Sequence, residues 1–336
     1  MKKYEIVDFL KGYSIFTIVL YHFFQALPMY SVLDKAINIG GTGIHTFLTI
    51  SGFGLYLSFR DKPLGFVPFI KRRLSKIYIP YIIVMGITAL IALFIPIVDN
   101  SPYAFLGHVF LYKMFDSAII GSYGGQFWFI STIIQFYLVF HVLAWFKRNS
   151  SAAMFLITGL VLSFGWAAFL AYSGLADKAA YNRFFLQYLW EFMLGMLLAD
   201  LLKQGKLEPF LSRFSNWHFL ILGITGMGIY IIMALKLGAV GQLFNDIPAL
   251  IGYSCVAIFL YNLSIKPINR FFLYTGEISY SLFLVHILVL LVVMYGWQQA
   301  GLAVSWKIIP IPLVISYLVA HFYNKFVGET YKWLKI

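Results

Sequence analysis

Residues 4–27 read YEIVDFLKGYSIFTIVLYHFFQAL, and this stretch decides the fold. Its 24 residues are enough to cross a bilayer as a helix. Inside it lie Asp8, Lys11 and His22. At about 100° per residue, Lys11 and His22 stand three turns plus roughly 20° apart and share a face. Asp8 lies one turn before Lys11 and roughly 40° from the His22 direction. Ionisable groups at membrane depth cost at least about 2.5 kcal/mol each unless they face a protein interior or water. The stripe therefore points inward, at something polar.

The rest of the chain supplies the setting. Hydrophobic residues make up 61% of the 336, charged residues 11%, and the mean hydropathy is +0.83. No soluble domain needs so much apolar surface, so the chain reads as an all-α, polytopic integral membrane protein. Ten spans are expected, near 4–27, 40–59, 77–98, 125–146, 153–173, 183–202, 217–236, 246–264, 273–297 and 306–326. Pro80, Pro96, Pro248 and Pro310 are expected near span ends, where a missing N–H costs little. No strand alternation is visible, which excludes an outer-membrane barrel.

Basic residues set the orientation. With the N-terminus in the cytoplasm, 18 of the 25 Lys and Arg fall on the cytoplasmic side, among them Lys2, Lys3, Lys71, Arg72, Arg73, Lys76, Lys206 and Lys335. Six fall outside, namely Lys35, Lys113, Lys178, Arg183, Lys236 and Lys307, and Lys11 is intramembrane. Both termini are thus expected in the cytoplasm and the protein in the plasma (inner) membrane. The net charge of +12 becomes a topology signal, and no soluble basic surface remains for nucleic acid. The lone Cys255 has no internal disulfide partner and no metal-ligand cluster beside it. Asp8, Lys11 and His22 would spoil the apolar region of a cleaved signal peptide. No repeat or domain linker is visible, so residues 1–336 are expected to form one integral domain with no soluble catalytic module attached.

Four further stretches carry chemistry. GIHTFLTISGFGLYLSF holds Ser51, Gly52 and Phe53; FIKRRLSKIYIP follows as a basic loop before Pro80. GGQFWFISTIIQFY holds Gln126, Trp128, Ser131 and Gln135, and YTGEISYSLFLVH holds Glu277, Ser279, Tyr280 and His286. In this order the chain resembles the acyltransferase family 3 of integral membrane proteins. That family's Asp-x-x-Arg-x10-His pattern is met by Asp8, Lys11 and His22, and its F-x-x-S-G-F run by Phe47 to Phe53 with one extra residue before Ser51. Its basic R-x-x-R-x-x-P-like stretch is met by Arg73, Lys76 and Pro80 with one extra residue before the proline. Trp128-Phe129-Ile130 meets its Trp-Phe-aliphatic segment, and Gly276 to His286 its Gly-x-Ile-Ser-Tyr run. The departure is Lys11, where the family usually has Arg: the charge stays, but the planar five-donor fork is lost.

The resemblance implies O- or N-acylation of a carbohydrate, often in an envelope glycan such as an exopolysaccharide or lipopolysaccharide. The donor would be cytoplasmic acyl-CoA, with acetyl-CoA as the expected co-substrate and no permanently bound cofactor. The partners implied are a carbohydrate or glycolipid acceptor, the lipid bilayer and glycan-assembly proteins. Acyl transfer needs a base for the hydroxyl proton and donors for the tetrahedral oxyanion. His22 is the expected base, since histidine titrates near working pH. Lys11 is expected to bind the donor or polarise the acyl group, with Asp8 orienting it. Arg72, Arg73 and Lys76 are candidates for the coenzyme A phosphates, although such a cluster also serves as a topology or anionic-lipid signal. Ser51, Gln126, Trp128, Ser279, Tyr280 and His286 are candidates to line the site. Against these stand blander readings: Ser51 and Gly52 as small packing residues, Trp128 as a belt aromatic, Asp8 and Lys11 as a snorkelling pair. Glu191 is expected to face the bundle, against the blander reading that Arg183 or Gln187 merely partners it. His45, His108, His141 and His321 read as structural or interfacial, since nothing pairs them at ligand spacing, and no metal site is expected. The rival functions are a secondary transporter using Asp8, Lys11 and His22 as a proton relay, and a non-catalytic relative.

Overall fold

The computed structural model describes residues 4–27 and 40–334, so Lys2, Lys3, Lys35 and Lys335 lie outside the described residues. Every regular element among them is helical. Twelve helices have eight or more residues. In chain order they are α1 (Glu5–Gln25), α2 (Gly43–Asp61), α3 (Phe66–Ile91), α4 (Pro102–Val109), α5 (Trp128–Asn149) and α6 (Ala152–Tyr172). They continue as α7 (Leu189–Lys203), α8 (Asn216–Phe244), α9 (Asp246–Asn262), α10 (Lys266–Glu277), α11 (Ser279–Gln299) and α12 (Pro310–Leu334). Eight are long and apolar enough to cross a membrane: α1, α3, α5, α6, α7, α8, α11 and α12, with α5 and α7 each led in by a 3-10 turn and α12 by Trp306–Ile308 and Ile309. The other two of the expected ten are α2, 19 residues with a polar first half, and α9, apolar but only 17 residues long. The chain is a multi-pass membrane protein.

Several element ends differ from the sequence expectation for physical reasons. The basic stretch before Pro80 is not a loop: α3 starts at Phe66, so Arg72, Arg73 and Lys76 ride on its first turns and Pro80 lies inside it. A proline leaves the carbonyl four residues earlier without its N–H. Here that carbonyl is Lys76 O, and the Tyr331 hydroxyl of α12 donates to it at 2.8 Å. Tyr280 donates to Ile77 O at 2.5 Å and Tyr323 to Pro80 O at 2.6 Å. Three tyrosines thus bind the backbone where the proline disturbs it, so the helix persists. The expected ninth span is two helices meeting at Ile278, with YTGEISYSLFLVH straddling the break. The seventh runs on to Phe244 past Gly238, whose φ of 56° breaks the helical path.

The described chain falls into two compact units, each drawn from three stretches. The first comprises Met1–Ile18, Ile39–Phe66 and Gln135–Glu277. Within it, α2 and α7 cross closely: a Cβ on Gly52 would meet Phe192 O at 2.1 Å, and one on Gly195 would meet Thr49 O at 1.9 Å. The start of α1 crosses α10 in the same way, Gly12 against Phe272 O and Gly276 against Asp8 O. Backbones this close gain dispersion contacts that apolar lipid cannot outcompete. One ionic tie joins three helices: buried Asp200 of α7 takes Arg60 of α2 on one oxygen and Lys147 of α5 at 2.8 Å on the other.

The second unit comprises Val19–Asn38, Val67–Ile134 and Ile278–Ile336. Its core is aromatic, with Phe127 packed edge-on against Tyr81 at 5.1 Å and against Phe283 at 6.3 Å. The Ser281 hydroxyl donates to Asn324 at 3.1 Å and joins α11 to α12.

Candidate active site

In the second unit, the last turns of α1 bring His22 to His286 of α11. His286 is fully buried. Its Nδ1 lies 2.9 Å from Leu282 O, one turn earlier in its own helix. A carbonyl only accepts, so Nδ1 carries the proton. In the neutral ring Nε2 is then the acceptor, and it sits 2.9 Å from His22 Nδ1. His22 Nδ1 therefore donates, and its basic lone pair resides on Nε2. The two rings stack with centroids 5.1 Å apart and planes 23° from parallel, which fixes the His22 ring in orientation as well as in tautomer. Phe23 and Phe283 flank the His286 ring.

The segment that opens α5 belongs to this unit too. Phe129 packs on Phe283 at 5.7 Å, the same ring that touches His286. Just before it, Gln126 is 2% exposed, and neither its Oε1 nor its Nε2 has a hydrogen-bond partner. A buried amide left so costs about 1–3 kcal/mol, which sets Gln126 apart as a candidate to line the site. Gly124 makes the room: a Cβ there would lie 2.4 Å from Gln126 Oε1, and its φ of 129° suits glycine alone. Trp128 begins α5 half-buried, and the buried Ser131 hydroxyl, one turn on, also lacks a partner.

Around Phe127 stands a group that the sequence did not single out. Lys113, read as an outer-loop charge, is fully buried. Its Nζ donates to His108 Nδ1 at 3.0 Å and to Tyr81 Oη at 3.3 Å, over the faces of Tyr81 and Phe127. No carboxylate pairs with it among the described residues. Burial pushes its ammonium well below the usual lysine range. Burial, then the Lys113 charge, hold the His108 imidazole down at about 3, so His108 is neutral. A basic residue in an outer loop normally reads as solvated, so no signal in the sequence marked this one.

The remaining candidates are placed as follows. Ser279 is the buried first residue of α11, and the Tyr280 hydroxyl is spent on Ile77 O. Arg72 and Lys76 are exposed on α3, while Arg73 lies half-buried over the Phe69 ring at 5.7 Å. In the first unit, Lys11 and Asp8 pair at 3.3 Å, both partly exposed. The Ser51 hydroxyl donates to Phe47 O at 2.8 Å, and its neighbour Gly52 provides the close crossing described above. His141 donates to Leu64 O at 2.9 Å, a structural bond.

In the same unit Glu191 is fully buried, as expected of a residue facing the bundle, but its partner is a different one. Glu191 is partnered by neither Arg183 nor Gln187: His45 Nδ1 lies 2.6 Å from its Oε1. Gln187 instead donates to Asp246 at 2.9 Å. His45, which nothing in the sequence paired, thus stands with Glu191 and Asp246, donor atoms within 4.8 Å of one another and all three side chains buried. They come from the first turns of α2, α7 and α9, far apart in sequence, so no spacing betrayed them.

Comparison with known proteins agrees with the resemblance read from the motifs. The profile of the Acyltransferase domain of acyltransferase family 3 matches residues 4–323, nearly the whole chain. A curated relative from Bacillus subtilis (strain 168), described as "Putative membrane-bound acyltransferase YfiQ", is 25% identical over 250 residues. The match covers 71% of this chain and 66% of the relative, just under two thirds of its length. No solved structure matches.

Proposed function

The chain belongs to acyltransferase family 3, and from that premise we propose that it transfers an acyl group, acetyl, from acyl-CoA to a hydroxyl of an envelope or exported carbohydrate. That it is a membrane acyltransferase follows from the family; the donor, the acyl group and the acceptor are our reading. The observation that carries it is the His22–His286 hydrogen bond at 2.9 Å, which leaves His22 Nε2 as the basic nitrogen of a fixed ring. His22 Nε2 takes the proton of the acceptor hydroxyl as its oxygen attacks the thioester carbonyl. The tetrahedral oxyanion collapses with cleavage of the C–S bond, the coenzyme A thiolate leaves, and the proton held on His22 neutralises it. The orphan Gln126 amide supports a role as a donor to the oxyanion, because its N–H groups are buried and unspent. Ser279 and Trp128 line the same site in this reading.

Lys11, held by Asp8, supplies a positive charge to the donor, and Arg72, Arg73 and Lys76 on α3 bind its phosphates. The basic-residue asymmetry supports a plasma-membrane protein with both termini in the cytoplasm, where acyl-CoA is made. Residues 1–336 act as one catalytic domain, alongside glycan-assembly proteins that present a carbohydrate or glycolipid acceptor. A direct test is Lys11→Arg against Lys11→Met in steady-state kinetics with acetyl-CoA. Charge-based binding predicts that Arg keeps or raises activity and that Met raises KM or removes activity. An inactive Lys11→Arg beside a near-wild-type Lys11→Met rejects a donor-binding Lys11.

A further inference from the structure

We propose that His45, Glu191 and Asp246 form a site for one divalent transition-metal ion of the zinc class, a site that stands independently of the acyl-transfer reading. The donor set is one imidazole nitrogen and two carboxylates, from three different helices, with exposures of 7%, 0% and 3%. His45 Nδ1 lies 2.6 Å from Glu191 Oε1 and 3.9 Å from Asp246 Oδ1. Zinc takes such ligands at about 2.0–2.2 Å, which puts neighbouring donors about 3.3–3.6 Å apart, so the His45–Glu191 pair has to open by roughly 0.8 Å and Asp246 to close by roughly 0.5–1.3 Å.

Charge and orphaned acceptors point the same way. Glu191 is the third residue of α7, behind the 3-10 turn Phe185–Tyr188, and Asp246 is the first of α9, at a helix N-terminus whose positive end suits a carboxylate. Among the described residues, their ion pairs run to His45. Metal binding takes the imidazole neutral and both carboxylates ionised, and the two negative charges are then balanced by one divalent ion. Glu191 Oε2 is buried without a hydrogen-bond partner. So is Gln187 Oε1, whose amide nitrogen already donates to Leu243 O and Asp246 Oδ2, so the oxygen is fixed as an unused acceptor beside the site. Three side chains leave a fourth coordination position open, and an ion here would tie the first turns of α2, α7 and α9 together.

The test uses the purified full-length protein in detergent, stripped with EDTA and titrated with zinc chloride alone. The expected result is one tightly bound equivalent and a rise in Tm with zinc, because a ligand that binds only the folded state stabilises it. Glu191→Gln and Asp246→Asn each weaken zinc binding about tenfold or more, and His218→Ala, at an exposed histidine, leaves it unchanged. Should the variants fail to fold, the wild-type stoichiometry and Tm decide the matter alone. The proposal is overturned if zinc leaves the wild-type Tm unmoved, if the acidic variants bind as tightly as wild type, or if His218→Ala removes the binding. The first outcome would make the triad a proton-sharing structural cluster.

Discussion

A histidine acts as a base only through a nitrogen that is not already protonated, so the tautomer of His22 matters as much as its position. Leu282 O fixes the His286 proton on Nδ1, and His286 Nε2 in turn fixes the His22 proton on Nδ1. His286→Ala removes that control without touching the proposed base. We expect kcat to fall by about ten- to a hundredfold with KM for acetyl-CoA nearly unchanged, and His286→Asn, whose amide oxygen can accept the same bond, to recover part of the loss. A kcat within threefold of wild type for His286→Ala would remove His286 as the positioning residue. His22 and His286 were both legible as candidates in the sequence, but their pairing was not. The two stand 264 positions apart, and no periodicity links residues on different helices. Lys113 shows the reverse failure: its position in an outer loop was legible, its burial was not. Its state has a pH signature. For both Lys113 and His108 the folded form binds fewer protons than the unfolded form, so stability rises with pH. The His108 contribution is complete above about 6.5 and is lost progressively as the pH falls towards about 3. Tm should therefore drop between pH 7 and pH 5, and His108→Phe should flatten that slope; an unchanged slope would mean that His108 is protonated in place.

At the scale of the element, span centres could be read from hydropathy, whereas the ends depended on partners that hydropathy does not see. The FIKRRLSK stretch reads as a loop because it is charged and precedes a proline. It folds as helix because hydroxyls of α11 and α12 take up the carbonyls around Pro80. Tyr323 is nearly buried, and Tyr323→Phe leaves Pro80 O without this bond. The expected loss is about 1 kcal/mol of stability, seen as a Tm lowered by a few degrees with the helical content kept. A Tm equal to wild type would show that the proline turn holds without the tyrosines. The Gly-x-Ile-Ser-Tyr run illustrates how one motif serves several purposes. Gly276 lets α10 approach α1, Ile278 separates two helices, Tyr280 holds α3, and His286 holds His22.

For the whole molecule, the sequence alone supported an all-helical membrane protein of about ten spans and, through its ordered motifs, the family. It could not show the division into two units, because each is assembled from three separated stretches. The orientation rests on the 18-to-6 split of basic residues and predicts opposite labelling of two exposed loops. In a Cys255→Ser background, Ser117→Cys should react with an impermeant thiol reagent in intact cells, and Lys206→Cys should not; the reverse pattern would invert the topology. The most direct measurement of the central claim is acyl transfer by the purified protein in liposomes, given labelled acetyl-CoA and the glycan fraction of its own envelope. Wild type should place label on the glycan, and His22→Ala, inserted and as thermally stable as wild type, should be slower by at least about a hundredfold. Transfer by His22→Ala within about threefold of wild type, or no label on glycan from wild type, would contradict it.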